Sequence, residues 1–387
     1  MKLRFIALAF GTLGLGISEY VMMGILPDIA KDFHISIPKT GHLISYYAIG
    51  VCVGAPLMVI FARRLPLKKI LLLLMGLFVA GNLFSAMAGS YGTLSIARFV
   101  AGLPHGAYFG VGSIVASKLA DKGKEGTAVA AMISGMTFAN LVGVPLGTFL
   151  SNAFSWRITY GIVGLWGIVT VLALWKWVPQ VAPLPDGGFK GQFRFLRKWA
   201  PWLLMLAIMF GNGGIFCWYS YISKVMTDVS GFSGQYLSVI MVWAGLGMFV
   251  GNLASGKLSD KYSPGLVSMA TQGTGAVALA FIYLLAKYPV PSLLLTFTCT
   301  ACLFALSAPQ QILLLQNSEG GQMLGASGAQ AAFNLGNALG ALVGGLPVSM
   351  GYGYEATAIP GTLFALFGFG LLYYFYKGQK QPSALVV

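Results

Sequence analysis

Charge is what this sequence has least of. Its 387 residues include 24 Lys and Arg and only 10 Asp and Glu, 9% charged against 57% hydrophobic, where soluble domains carry about 25% charged residues. So few charges cannot cover a water-soluble particle of this length, and the apolar excess must face lipid. Histidine is scarcer still: His34, His42 and His105 leave no zinc-ligand set, and the few carboxylates leave no paired catalytic acids. No GxSxG occurs, which removes the serine-hydrolase signature. The four cysteines, Cys52, Cys217, Cys299 and Cys302, all lie in apolar runs. Cys299 and Cys302 form a CxxC without the partners or the βαβ context of a metal or redox pair, and read as small apolar side chains. A nucleotide loop is also missing. GNLASGKLSD (251–260) supplies Gly251, Gly256 and Lys257 of a P-loop, but Leu258 stands where the Mg²⁺-binding hydroxyl belongs and an apolar helix precedes it. No enzyme, metal or organic cofactor is expected.

What is present is a succession of apolar runs. A spanning helix needs about 20 mostly apolar residues, and the charged and Pro/Gly-rich breaks delimit twelve: 5–27, 41–62, 70–89, 93–115, 127–151, 158–178, 200–222, 234–256, 265–286, 292–314, 324–350 and 356–376. The first, of about 23 residues, exceeds a signal-peptide core of roughly 7–15 and reads as a retained span. The only long break, VPQVAPLPDGGFKGQFRFLRKWA (178–200), divides six spans from six. The expected organisation is an all-α integral membrane protein: a six-helix half over 1–178, a loop over 179–199, a second half over 200–376 and a tail over 377–387.

The formal charge of +14 suits nucleic acid only if a soluble basic domain exists, and none remains outside the spans. With the N-terminus in the cytoplasm, eighteen of the 24 basic residues fall in loops on that side and five, Lys31, Lys39, Arg157, Lys224 and Lys287, on the other, with Arg98 left inside a helix. The positive-inside rule then places both termini and the central loop in the cytoplasm. Membrane lipid, protons and a small-molecule substrate are the expected partners of a monomeric protein; nucleic acid is not.

The halves repeat. Gly50 and Gly54 run through span two to Ala62-Arg63-Arg64, and Gly247 and Gly251 run through span eight to Ser259-Asp260-Lys261, at an offset of 197 residues. Parallel repeats of this kind are the plan of transporters with a central site. Small residues at four-residue spacing also include Gly102/Gly106/Gly110, Gly143/Gly147 and Gly336/Gly340/Gly344, which let helices approach closely. Pro56, Pro145 and Pro309 are expected to interrupt spans two, five and ten.

Glu19 and Arg98 are the only ionisable Asp, Glu, Lys or Arg residues deep within spans. A charge at a helix centre costs about 2.5–3.5 kcal/mol and marks an ion, proton or substrate path, or a buried pair that fixes packing. Counting 1.5 Å per residue, both lie roughly 8–12 Å below the outer surface, so they can meet. His105 is seven residues after Arg98, on nearly the same helix face, where it either titrates or is held as an interior histidine. The second half has no deep carboxylate. Asn212, Tyr219, Tyr221, Trp243, Asn252, Gln310, Gln311, Asn334 and Asn337 are its polar candidates, and Tyr46 and Asn140 join them from the first half. Aromatic and amide groups together suit a hydroxylated or amphipathic molecule, although interhelical hydrogen bonding accounts for the same residues.

At GTLGLGISEYVMMGILPDIA, GHLISYYAIGVCVGAP, RFVAGLPHGAYFGVG, SGMTFANLVGVPLGTFL, FSWRITY, FALSAPQQILLLQN and FNLGNALGA the chain resembles the major facilitator superfamily over nearly its whole length. It is most similar to the twelve-helix drug/proton antiporter branch and its sugar-efflux members. The resemblance implies that Arg98, with Gly102 and Gly106, serves proton coupling, and that Gly143, Pro145 and Gly147 form the antiporter signature of helix five, here with a Pro-to-Gly spacing one residue shorter. It also implies that Gly256, Asp260 and Lys261 form a gating loop motif. In the first-half copy Arg63 takes the Asp position and Val59 the Gly position, while Arg64 keeps its charge. The function so implied is proton-coupled efflux of sugars such as arabinose by alternating access. Export of amphipathic drugs, sugar uptake by symport, and a receptor that does not transport are the alternatives.

Overall fold

Twelve long helices follow one another in the computed structural model, which describes residues 3–35, 37–62, 64–121, 125–183, 191 and 193–380. We number them α1 (Leu3–Asp32), α2 (Ile37–Ala62), α3 (Leu67–Ala86), α4 (Tyr91–Leu119), α5 (Glu125–Phe138, continuing to Ala153), α6 (Trp156–Trp177), α7 (Trp199–Tyr219), α8 (Leu237–Lys261), α9 (Pro264–Leu285), α10 (Pro289–Ala305 and Ser307–Gln316), α11 (Gln322–Ser349) and α12 (Ala358–Lys380). Among the described residues there is no strand. Eleven of the twelve are long and apolar enough among their described residues to cross a membrane. The other, α2, is a 26-residue helix of comparable apolar character. The fold is an all-α membrane bundle of twelve spans in two pseudo-symmetric halves of six.

Local chemistry sets several helix ends. Ser90 opens α4 with a capping box: its hydroxyl accepts from the Thr93 N–H and the Thr93 hydroxyl accepts from the Ser90 N–H. Ser155 and Ser263 cap α6 and α9 in the same position, and Pro264 and Pro289 occupy first turns, where a missing N–H costs nothing. α1 outruns its expected end at Pro27 and stops at Asp32. There the Ile35 N–H donates to the Ala30 carbonyl and His34 takes a φ of 54°, a helix stop in which the left-handed residue is not the usual Gly or Asn.

The three prolines expected to interrupt spans behave differently. α2 continues through Pro56, because loss of one N–H near a helix end leaves the flanking turns to carry the ladder. In α5 the irregularity precedes the proline: Ala139–Gly143 winds as a π-helix, and Pro145 sits in the first turn of Val144–Ala153. α10 breaks at Leu306, three residues before Pro309, which lies in the first turn of the second segment.

The repeat is visible in how the helices touch. A Cβ at Gly50 or Gly54 would run into the carbonyl oxygens of Phe99 or Leu103, and one at Gly247 or Gly251 into those of Phe297 or Ala301. The partners Phe99 and Phe297, and Leu103 and Ala301, are themselves 198 residues apart. The same small-residue stripe thus binds α2 to α4 in one half and α8 to α10 in the other. By compactness the chain forms two units, Met1–Phe193 with Gly320–Asn334, and Arg194–Glu319 with Leu335–Val387.

Candidate functional site

The first unit buries a polar cluster built from five helices. α1 supplies Ser18 and Glu19, α2 Tyr47, α3 Asn82, α4 Arg98 and His105, and α6 Tyr160. Glu19 is 6% exposed and Tyr47 1%, while Arg98, His105, Ser18, Asn82 and Tyr160 are wholly buried. On α4 the seven-residue spacing puts Arg98 and His105 on one side of the helix. On α2, Leu43, Tyr47, Gly50, Val51 and Gly54 form one buried stripe, which carries the Tyr47 ring to the same place.

The cluster is continuous. His105 Nε2 lies 3.7 Å from Glu19 Oε2, an ion-pair distance rather than a hydrogen bond. Its other ring nitrogen, Nδ1, is 2.8 Å from the Tyr47 hydroxyl. The Tyr47 ring meets His105 edge-on at 5.7 Å, and Phe109 stacks on the imidazole at 5.1 Å. The Arg98 guanidinium lies 4.4 Å from the centroid of Tyr47 and 5.3 Å from that of Tyr160, and donates from Nη1 to the Ser18 hydroxyl at 3.3 Å. Ser18 in turn donates to Asn82 Oδ1 at 2.8 Å, and Asn82 Nδ2 donates to the Phe78 carbonyl.

Chemically this is a carboxyl, an imidazole and a phenol in line, beside a cation that lies between two aromatic rings and bonds a serine hydroxyl. A guanidinium out of water needs such compensation, and a desolvated cation–π contact supplies about 2 kcal/mol. The Glu19, Arg98 and His105 of the sequence reading come together, with Tyr47 as the piece between them. Tyr47 was missed in favour of its neighbour Tyr46, which is 36% exposed. Ser18, Asn82 and Tyr160 were missed as well.

Of the residues expected to form the helix-five signature, Gly143 and Gly147 line the α1 side of α5, and Pro145 lies between them in the first turn of Val144–Ala153. A Cβ at Gly143 would strike the Ile17 side chain, and one at Gly147 the Val21 and Thr159 side chains. Thr159 donates to the Gly147 carbonyl at 2.9 Å. Asn140 lies in the π-helical segment, its amide on the Met136 carbonyl at 3.0 Å.

The second unit holds a different polar cluster. Asn212 Nδ2 donates to Gln310 Oε1 at 3.4 Å, and Gln310 Nε2 to Gln272 Oε1 at 3.3 Å, all three buried. Gln272, on α9, was not among the sequence candidates. Of the other substrate candidates, Tyr219, Trp243 and Gln311 belong to this unit and Asn334 to the first. Tyr219 is buried against Phe216 and Trp218, and Gln311 is buried beside Gln310 in the sequence. Trp243 lines an apolar cleft of 530 Å³ with Phe232, Tyr236, Val239, Val290 and Leu294, its indole N–H on the Leu293 carbonyl. Asn334 is buried on α11, its amide on the Gln330 carbonyl at 3.1 Å.

Of the residues expected to form gating loops, Arg64 is exposed beyond the end of α2, and Gly256 and Lys261 lie in the last turns of α8, Lys261 over the Tyr262 ring at 5.4 Å. Arg63 lies outside the described residues, as does the side chain of Asp260.

A bundle of twelve apolar helices that buries a cluster of acid, base and cation is the architecture of a membrane transporter. The chain belongs to the Major Facilitator Superfamily, whose family pattern matches residues 8–329. It is 48% identical to AraJ of Escherichia coli (strain K12) over 389 aligned positions, 100% of this chain and 99% of that one. It is 34% identical to the inner membrane transport protein YdhP of the same organism over the same shares, and 32% identical to a chloramphenicol resistance protein of Streptomyces lividans over 89% of this chain and 88% of that one. A structure of the transporter FucP in the outward conformation superposes with a TM-score of 0.74 at 15% identity, covering 98% of this chain and 99% of that one. The protein is a multi-pass membrane transporter and not an enzyme.

Proposed function

We propose that this transporter is a proton-driven exporter of the cytoplasmic membrane, an antiporter that carries sugars or sugar-like molecules such as arabinose outward by alternating access. The observation that carries the reading is the buried line of Glu19, His105 and Tyr47 beside Arg98. Glu19 is the proton carrier. Its protonation removes a negative charge facing His105 of α4, in the cluster that Arg98 of α4, Tyr47 of α2 and Tyr160 of α6 share, so loading and unloading it changes what holds α1 to α4.

Gly143 and Gly147, with Pro145 between them, serve this exchange: the two glycines let α5 lie close along the part of α1 that flanks Glu19. Arg64, Gly256 and Lys261, with Arg63 and Asp260, form the cytoplasmic gating loops, both termini lie in the cytoplasm, and the segment 179–199 joins the six-helix halves 1–178 and 200–376. The protein acts as a monomer, with the proton gradient and no cofactor as its energy source.

The test is flux in proteoliposomes with an imposed pH gradient, screening pentoses, other sugars and amphipathic drugs, with Glu19→Gln beside the wild type. Uphill movement of a sugar against the proton flow, lost in Glu19→Gln, supports the reading. Gradient-driven movement of sugar in the same direction as protons would make it a symporter. A second substrate class, amphipathic drugs, is favoured by the likeness to a protein named for chloramphenicol resistance.

A further inference from the structure

Gln272 stands on α9 with its whole side chain buried, 1% exposed. It fills a slot that two glycines leave open: a Cβ at Gly211 of α7 or at Gly368 of α12 would collide with its amide. At the end of that slot Nε2 faces two main-chain carbonyls, Ala207 of α7 at 3.4 Å and Ala365 of α12 at 3.5 Å. The bonds are long, but both neighbours can only accept, so this end of the amide must be the NH₂.

That choice propagates. With its NH₂ on the carbonyls, Gln272 shows Oε1 to Gln310, which must answer with Nε2 at 3.3 Å. Gln310 then shows Oε1 to Asn212, which must answer with Nδ2 at 3.4 Å and also gives that group to the Ile208 carbonyl at 3.1 Å. Three amides are thereby aligned head to tail by two backbone carbonyls. The line ends on one atom, Asn212 Oδ1, which is buried and has no hydrogen-bond partner. An orphaned acceptor is costly unless something donates to it.

We propose that Asn212 Oδ1 is the acceptor for a hydroxyl of the transported molecule, and that Gln272 is a positioning residue that fixes this polarity through Gln310. The inference rests on the reading of the protein as a carrier of hydroxylated small molecules. It adds the rule by which the second half selects them: a donor is required at this atom, so an analogue lacking that hydroxyl leaves the acceptor unpaired and is rejected.

The experiment uses the full-length protein with arabinose and its monodeoxy analogues as probes in proteoliposome flux. In the wild type one monodeoxy analogue should have a half-saturating concentration about 10-fold or more above that of arabinose, the scale of one lost buried hydrogen bond. Asn212→Leu and the volume-conserving Gln272→Met should each bring that ratio close to one, and the double variant should behave as Asn212→Leu does. A purely structural Gln272 would lower activity without moving the ratio. An unchanged ratio in Asn212→Leu or in Gln272→Met overturns the inference while leaving the function in place.

Thermal unfolding in detergent tests the amide line without any substrate. Gln272→Met should lower the melting temperature by about 2–4 °C, by orphaning the Gln310 NH₂. The apolar triple variant Gln272→Met, Gln310→Met, Asn212→Leu should recover it, because no orphan then remains. Failure to recover sinks the line of amides even if no sugar is carried, and wild-type protein that moves no sugar at all sinks the functional reading instead.

Discussion

Replacing Tyr47 by Phe and by Leu separates the two things this residue does. The hydroxyl is 2.8 Å from His105 Nδ1 and the ring lies 4.4 Å beneath the Arg98 guanidinium. Tyr47→Phe removes the hydroxyl and keeps the ring, so it leaves a buried imidazole nitrogen unpaired at a cost of about 1–3 kcal/mol. Tyr47→Leu removes both and gives up a desolvated cation–π contact worth about 2 kcal/mol more. The order of unfolding midpoints in detergent is therefore wild type, then Phe, then Leu, with the second step comparable to the first. Proton-driven flux should fall in both variants, because the phenol ends the line that begins at Glu19. Equal stability of the Phe and Leu variants would refute the claim that the ring holds Arg98, and wild-type flux in Tyr47→Phe would remove the phenol from the proton path.

Other perturbations test the frame around the site. Gly102→Ala drives a methyl group onto the Tyr47 carbonyl and should cost about 1–3 kcal/mol in stability, where the same change at the open Gly76 costs little. Arg157 bonds Asp32 at 2.8 Å and the Ala88 carbonyl at 3.0 Å with both charged side chains more than a third exposed, so Arg157→Ala should lose only about 0–1 kcal/mol, less at high salt. His34→Gly relieves a left-handed backbone and should leave stability unchanged or raise it by up to about 1 kcal/mol. The Thr227 hydroxyl first, and Lys224 second, hold the Asp228 carboxyl below the usual carboxylate range. A depressed folded value means that its contribution is present above the unfolded value and lost as pH falls through the folded one; Thr227→Val should move the titration upward, read by NMR of labelled Asp.

The spans were legible because lipid demands about 20 apolar residues each time the chain crosses, and hydropathy states that directly. Close packing at Gly50, Gly54, Gly247 and Gly251 and its repetition in the two halves were legible too, since only a residue without a side chain admits a neighbouring carbonyl so closely, but which helices these stripes meet, α4 and α10, was not. Glu19 and Arg98 stood out by cost alone, and His105 by its seven-residue spacing from Arg98. Tyr47 was within reach of the sequence: it shares the stripe of Leu43, Gly50, Val51 and Gly54, whereas Tyr46 falls beside it. Gln272 was not. A lone Gln in an apolar helix has no period of its own, and its slot is made by Gly211 and Gly368, more than 60 residues before it and more than 90 after it in the chain. The π-helical turn at Ala139–Gly143 was equally hidden, because Pro145 announces an irregularity without saying on which side of it the helix gives way.

The most direct test of proton coupling is the number of protons released per substrate moved, measured in proteoliposomes with an internal pH indicator for wild type and Glu19→Gln. Obligate exchange in the wild type and substrate movement with no proton release, or no uphill movement at all, in Glu19→Gln is the result expected of a carboxyl that carries the proton. The same proton-to-substrate ratio in both proteins would contradict it.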